Sequence, residues 1–196
     1  MNLRVEALTG AALEAALDDV AQLRIAVFRA WPYLYDGDLA YERRYLQTYR
    51  DSPGAVLAGA FDGARLVGAA TGTPMEDHAA DFAAPFAATE LELSDVFYCA
   101  ESVLLPEYRG QGVGHRFFDI RERHARRLGR RYVAFCGVMR TDDHPAKPPG
   151  YHPLDAFWRG RGYAPLPGVV AEFRWTDIGD SAETAKPLQF WMKELT

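Results

Sequence analysis

Leu104-Leu105-Pro106-Glu107-Tyr108-Arg109-Gly110-Gln111-Gly112-Val113-Gly114 lies between an apolar run and an amphipathic one. Before it, residues 95–105 are rich in Val, Phe, Tyr and Cys and read as a buried strand. After it, Val113, Phe117, Ile120 and His124 recur at spacings of three and four. That predicts a helix over residues 112–128, with Gly129 as its stop. Glycines at positions 110, 112 and 114 let the backbone take positive φ and come close to a ligand. The first-turn N–H groups of such a helix lack intrahelical acceptors, and the helix dipole favours an anion there. The stretch is a phosphate cradle by its mechanics. Two common cradles do not fit it. A P-loop ends in Gly-Lys-Ser/Thr, whereas Gly114 is followed by His115 and Arg116. A dinucleotide-binding turn needs G-x-G-x-x-G after the first strand, and here the glycines alternate deep inside the chain.

Working outward, residues 131–138 form another apolar run, so strand, helix and strand make a βαβ unit with parallel neighbours. Residues 2–8 alternate as a first strand, and Thr9 is placed to cap a helix through Leu13, Leu17, Val20 and Leu23 to Phe28. Trp31-Pro32 interrupts the chain, a second helix is predicted over 38–49, and residues 51–54 are turn chemistry. Residues 55–61 and 65–71, separated by Asp62-Gly63-Ala64, read as a hairpin. Residues 75–90 suit a short helix or long loop. The 140–153 stretch, with Pro145, Pro148, Pro149 and Pro153, suits a loop. A short helix over 154–161 and closing strands over 169–175 and 187–192 complete the reading. No repeat or linker stands out, so one α/β domain over 1–196 is expected.

With 48% hydrophobic and 25% charged residues the composition is globular. A net charge of -5 argues against a dedicated nucleic-acid partner, and no apolar run approaches the length of a membrane span. The start, MNLRVEALTGAALEAALDDV, carries Glu14, Asp18 and Asp19 and does not read as a signal peptide. A cytoplasmic location with Cys99 and Cys136 as reduced, buried thiols is the expectation. The basic run 121–131 reads as the solvated face of a helix. Asp142-Asp143-His144 lacks a second ligand cluster at metal-binding spacing, so no metal is expected.

Arg109, Gly112 and Gly114 fit Q/R-x-x-G-x-G/A, preceded by two apolar residues, Pro and Tyr. With the order of elements around it, the chain resembles the GNAT N-acyltransferase superfamily over nearly its whole length. The resemblance implies a mixed, mostly antiparallel central sheet flanked by helices, with one parallel strand pair that splays. It implies acetyl-CoA as co-substrate and no metal. The pantetheine would pair with backbone of Ser102 and Leu104, and the pyrophosphate would sit on the loop formed by Arg109, Gly110, Gln111, Gly112, Val113, Gly114 and His115. The expected reaction is direct attack by a small-molecule amine within a ternary complex.

Family members often carry a carboxylate on the strand before the loop, which here is Glu101, as base or amine anchor; the competing reading is a buried Glu paired with an arginine. Asp95 is the alternative carboxylate and reads as a turn residue. The family's proton-donating Tyr on the short helix aligns with Trp158, so the donor is open among Tyr151, Tyr98 and solvent, with Tyr151 preferred. Trp158 is expected beside the pantetheine arm, and Phe157 in the core. The aromatic segment 28–38, with Trp31, Tyr33, Tyr35 and Asp36, corresponds to the family's acceptor region and suits an organic cation; helix packing is the rival. A non-catalytic acyl-CoA sensor and a protein N-acetyltransferase remain alternatives, and a homodimer is left open.

Overall fold

The computed structural model describes residues 3–196; Asn2, placed in the first predicted strand, lies outside them. Seven strands form one sheet in the order β1-β2-β3-β4-β5-β7-β6. They are β1 (Leu3–Leu8), β2 (Val56–Asp62), β3 (Arg65–Pro74), β4 (Val96–Leu104), β5 (Tyr132–Val138), β6 (Ala164–Trp175) and β7 (Thr184–Glu194). Every neighbouring pair is antiparallel except β4–β5. The α/β fold with one parallel pair is as expected.

Helix α1 (Gly10–Phe28) covers one face, packing Leu13, Val20 and Leu23 on Leu57, Ala69 and Val103. Helix α5 (Val113–Arg127) covers the other, packing Val113 and Phe117 on Ala58, Val67 and Ala70. Successive residues such as Leu57 and Ala58 thus serve opposite faces, as the two-residue period of a strand requires. Helix α4 (Ala79–Phe86) sets Phe82 and Phe86 against Phe190. Helix α6 (Asp155–Gly160) lies near α5, where Phe157 meets His115 and Phe118.

Several local expectations change. Thr9 occupies the cap position but makes no side-chain cap bond. The predicted 38–49 helix is two helices, α2 (Leu39–Tyr45) and α3 (Gln47–Asp51). Leu46, at ψ -9, closes one and opens the other, and Glu42, Leu46 and Tyr49 are buried across the break. Asp38 caps α2, accepting from Tyr41 N at 2.8 Å. The closing strands run longer than their apolar cores because β7 is paired on both sides. Asp95 ends a single 3-10 turn before β4, as its turn reading required.

The basic run 121–131 is not a solvated face throughout. Arg121 is 1% exposed and His124 is buried, because both fall on the stripe of α5 that faces the sheet.

Candidate active site

The β4–β5 ladder holds only Val96↔Tyr132, Phe97↔Val133 and Tyr98↔Ala134. Beyond Tyr98 the strands part, while β5 stays paired to β7 as far as Val138↔Leu188. The edge of β4 that faced β5 is left without a strand partner. A cleft of about 1090 Å³ opens there, lined by Ser102, Leu104, Cys136, Val138 and the glycine loop.

A bulge in β4 accompanies the parting. Pairing with β3 steps from Ala70↔Ser102 to Gly72↔Cys99, so Ala100 and Glu101 together oppose Thr71. Strict alternation would put Glu101 on the face opposite Ala100; the extra residue brings both to the α1 side. Arg121 reaches the bulge from α5. Its Nη1 donates to Thr71 O and Glu101 O, each at 3.2 Å, and its Nη2 donates to Ser102 Oγ at 2.9 Å. Carbonyls that the irregular pairing would leave short of donors are satisfied by one buried guanidinium.

At the outer end of the cleft, Gly110 and Gly112 have φ of 75° and 76°, with nothing within 4 Å of where a Cβ would stand. Gly112 is the N-cap of α5, so the Val113, Gly114 and His115 amides have no acceptor one turn back within the helix. Arg109, Gly110, Gly112, Val113, Gly114 and His115 line the cleft with Ser102 and Leu104. Gln111 does not: its side chain turns back to donate to Glu107 O at 3.4 Å. The open left-handed glycines, the first-turn amides and the unpaired strand edge fit a phosphate-bearing ligand with an extended arm.

A smaller pocket of about 100 Å³ adjoins the cleft, sharing Phe28, Tyr33, Ala100 and Cys136 with it. Glu101 lies in its wall, its side chain 1% exposed. Oε2 accepts from Arg24 Nη1 at 2.6 Å and Oε1 from Thr71 Oγ1 at 2.6 Å. Arg24 also donates through Nε to Glu42, which is fully buried, and its guanidinium stacks on Tyr45 and Phe28. Two carboxylates thus face one arginine. Burial and the neighbouring Glu101 charge push the Tyr45 phenol well up, so it stays neutral.

The segment 29–37 divides. Tyr33 and Tyr35 line the small pocket. Trp31 lines the cleft, with His144 at 5.0 Å and Tyr151 at 6.0 Å between ring centres; its peptide bond to Pro32 is cis. Asp36 is a correction. Its side chain is 55% exposed and pairs with Arg29 at 3.2 Å, so it faces solvent rather than an acceptor. The segment is fixed from outside: Arg140 donates to Pro32 O at 2.9 Å, to Tyr33 O at 2.8 Å, and bidentately to Asp177 at 2.7 and 2.9 Å.

Tyr151 lines the cleft, and burial raises its phenol above the ordinary value of about 10. Tyr98 lines the small pocket instead, 3.5 Å from Cys136 Sγ. Trp158 lines the cleft and packs on Phe135 and Trp191. Phe157 also reaches the cleft rather than being wholly in the core. Burial pushes the Cys136 thiol up to about 12 and Cys99 to about 11, so neither is a ready nucleophile. Cys99 is buried, as expected, whereas Cys136 is only partly so. His144 packs against Trp31 at a tilt of 52°, and Asp142 pairs with Lys147 at 2.8 Å.

Arg24, Glu42, Thr71, Arg121, Arg140 and Asp177 escaped the sequence reading. Arg24 had a visible signal, a cation four residues after Val20 and four before Phe28 on an apolar stripe. Arg121 had one too, four residues after Phe117.

The single parallel pair of the sheet thus splays beside a glycine loop that caps α5. A sequence model of the acetyltransferase (GNAT) family matches residues 17–148, about two thirds of the chain, and the protein belongs to that family. No curated protein sequence matches the chain. Among solved structures, it resembles a ribosomal-protein-alanine N-acetyltransferase from Brucella melitensis with 15% identity and a TM-score of 0.61, covering 98% of this chain and 99% of that one. A polyamine N-acetyltransferase from Drosophila melanogaster, which forms N-acetylagmatine, shares 13% identity at a TM-score of 0.61, over 99% and 100%. A Salmonella typhimurium protein solved with its cofactor acetyl-CoA shares 10% at 0.59, over 100% and 95%. At these identities the likeness is one of fold. Among the described residues no helix is long and apolar enough to cross a membrane.

Proposed function

We propose that the protein transfers the acetyl group of acetyl-CoA to the amine of a small-molecule acceptor, by direct attack in a ternary complex. The observation that carries this reading is the junction of two spaces at the splay: a long cleft ending on the glycine loop, and a small aromatic pocket meeting it at Ala100 and Cys136. The thioester brings an acyl group that is already activated, so the chain's residues have to position, orient and move protons. The amides of 113–115 and the open backbone at Gly110 and Gly112 hold the pyrophosphate; the β4 edge at Ser102 and Leu104 guides the pantetheine arm. Gln111 serves the turn rather than the ligand.

On the acceptor side, Tyr33 and Tyr35 form the pocket, with Trp31 over the cleft. Glu101 is the carboxylate in the pocket wall. Its two short bonds, to Arg24 and Thr71, mean that it takes the amine's proton only by loosening one of them or through a water. Tyr151 is the group in the cleft that can return a proton to the departing sulfur, from a phenol protonated throughout the neutral range. Cys136 stays a thiol and takes no acyl group. Peptide acceptors are disfavoured by the small pocket and the strapped segment 29–37. A cytoplasmic location is proposed with it.

The test is CoA release with a panel of primary amines. Turnover with at least one small amine is expected. Acetyl-CoA binding without release for any amine would instead mark a sensor of acyl-CoA.

A further inference from the structure

The walls of the small pocket define the acceptor's body more narrowly than "amine". Most of the residues that line it are aromatic, Phe28, Tyr33, Tyr45, Tyr98, Phe173 and Trp175 among them. Three charged side chains also line it. Arg24 and Glu101 are bonded to each other, and Arg174 is exposed. Glu42, the remaining carboxylate of the network, stands behind Arg24 and outside the pocket. The one carboxylate in the wall, Glu101, is already engaged by Arg24 and Thr71, so a second ammonium entering this space would meet no further carboxylate on the pocket surface. An apolar body would meet ring faces, and a single ammonium could pass along them by cation–π attraction.

Size sets a further bound. An apolar cavity of roughly 150 Å³ encloses a whole benzene ring; this pocket holds about 100 Å³ and opens into the cleft past Phe28, Tyr33, Ala100 and Cys136, so the largest body it seats is a single ring whose edge reaches the cleft. Its wall is also held against expansion. Tyr33 O accepts from both Arg140 Nη2 and Trp175 Nε1, at 2.8 and 3.0 Å. Asp36 N donates to Thr176 O at 3.0 Å and Ile178 N to Leu34 O at 2.7 Å, so segment 33–36 is stitched to the β6–β7 connection on both sides. The Arg140–Asp177 pair that fastens it is itself nearly buried, with side chains 10% and 13% exposed.

We infer that the acceptor is a compact monoamine with a single apolar or aromatic body no larger than about a benzene ring, seated among Phe28, Tyr33, Tyr45, Tyr98 and Trp175 with its nitrogen at the Ala100–Cys136 junction. Polyamines and peptide N-termini are rejected, the first because the pocket surface carries a single carboxylate and the second for want of room. The inference rests on the acetylation reading for its catalytic consequence, but the pocket's preference is a matter of binding alone.

The experiment uses the full chain with benzylamine, spermidine and an unblocked tetrapeptide as probes. Two readouts are taken: kcat/KM for CoA release, and displacement of the Trp175 indole N–H resonance, identified with Trp175→Phe, in the presence of CoA. Benzylamine is expected to exceed both other probes at least tenfold in kcat/KM and to move the Trp175 resonance at the lowest concentration. Tyr33→Ala, which opens the wall, should narrow that ratio at least threefold. Spermidine or peptide turned over as well as benzylamine overturns the inference, as does turnover without preferential displacement of Trp175 by benzylamine. If no amine is acetylated but benzylamine still displaces Trp175 preferentially, the acetylation reading fails and the pocket assignment holds.

Discussion

Glu101 carries two demands at once. It neutralises Arg24 inside the protein and offers the carboxylate nearest to the proposed acceptor. Glu101→Gln keeps the shape and removes the charge, leaving Arg24 with Glu42 as its only carboxylate partner. We expect kcat/KM to fall by ~10²-fold or more at neutral pH, with only a modest loss of unfolding free energy, because Arg24 keeps Glu42 and no buried charge is left unpaired. Calorimetric affinity for CoA should be unchanged. Full turnover in a variant of lowered melting temperature would leave the carboxylate a structural role alone. Tyr151 is tested by pH. Its phenol is protonated at neutral pH and titrates above about 10 because burial opposes the phenolate. An acid of this kind gives a rate that falls as pH rises through its pKa. Tyr151→Phe should lose that alkaline limb while Tyr98→Phe, whose hydroxyl meets Cys136 in the other pocket, retains it. Wild-type profiles in both would mean that the sulfur leaves without a protein acid.

Helix α5 works as an element in two directions, offering its N-terminus to the cleft and pinning the β4 bulge through Arg121. Near its other end, His124 Nε2 lies 3.0 Å from Gly54 O, and burial lowers its pKa below the usual 6.5. The unfolded chain therefore takes up this proton at a higher pH than the folded one. The stability associated with His124 is complete above about pH 6.5 and declines as pH falls from there toward the folded-state pKa. Thermal melts of His124→Gln should lose less between pH 7 and pH 5 than those of the wild type; parallel losses would contradict the assignment. Much of α5 was legible from spacing, because Val113, Phe117, Ile120 and His124 mark its buried stripe. The same spacing placed Arg121 on that stripe, but a charged residue in a basic run reads as solvent-facing until the acceptors that compensate its burial are visible. Those acceptors, Thr71 O and Glu101 O, come from strands that are distant in sequence. Arg24 was hidden for the same reason, since its partners Glu42 and Glu101 lie 18 and 77 residues away.

Across the whole molecule the sheet does the organising. The loop from Arg109 to Gly114 was legible in the sequence as the proposed cofactor end because its glycines and the following helix are local features. The proposed acceptor end was legible only as an aromatic segment. Its placement depends on Arg140 and Asp177, which join residues 107 and more positions apart, and Asp36 was misread because its pairing with Arg29 is set by the path of the turn. The two ends meet where β4 leaves β5, and the account depends on that gap receiving acetyl-CoA. Gly114 provides the cleanest probe. Its φ is not left-handed, and an added Cβ would meet only Phe157, at an ordinary 3.5 Å, whereas a side chain at Gly110 or Gly112 would be strained by φ alone. Valine there is no worse than glycine in helix propensity but projects into the space assigned to the pyrophosphate. The decisive measurement is calorimetric titration of acetyl-CoA into the wild type and into Gly114→Val of confirmed fold. The account predicts saturable one-to-one binding to the wild type, weakened at least tenfold in the variant. Undiminished affinity in the folded variant, or no binding to the wild type, would contradict it.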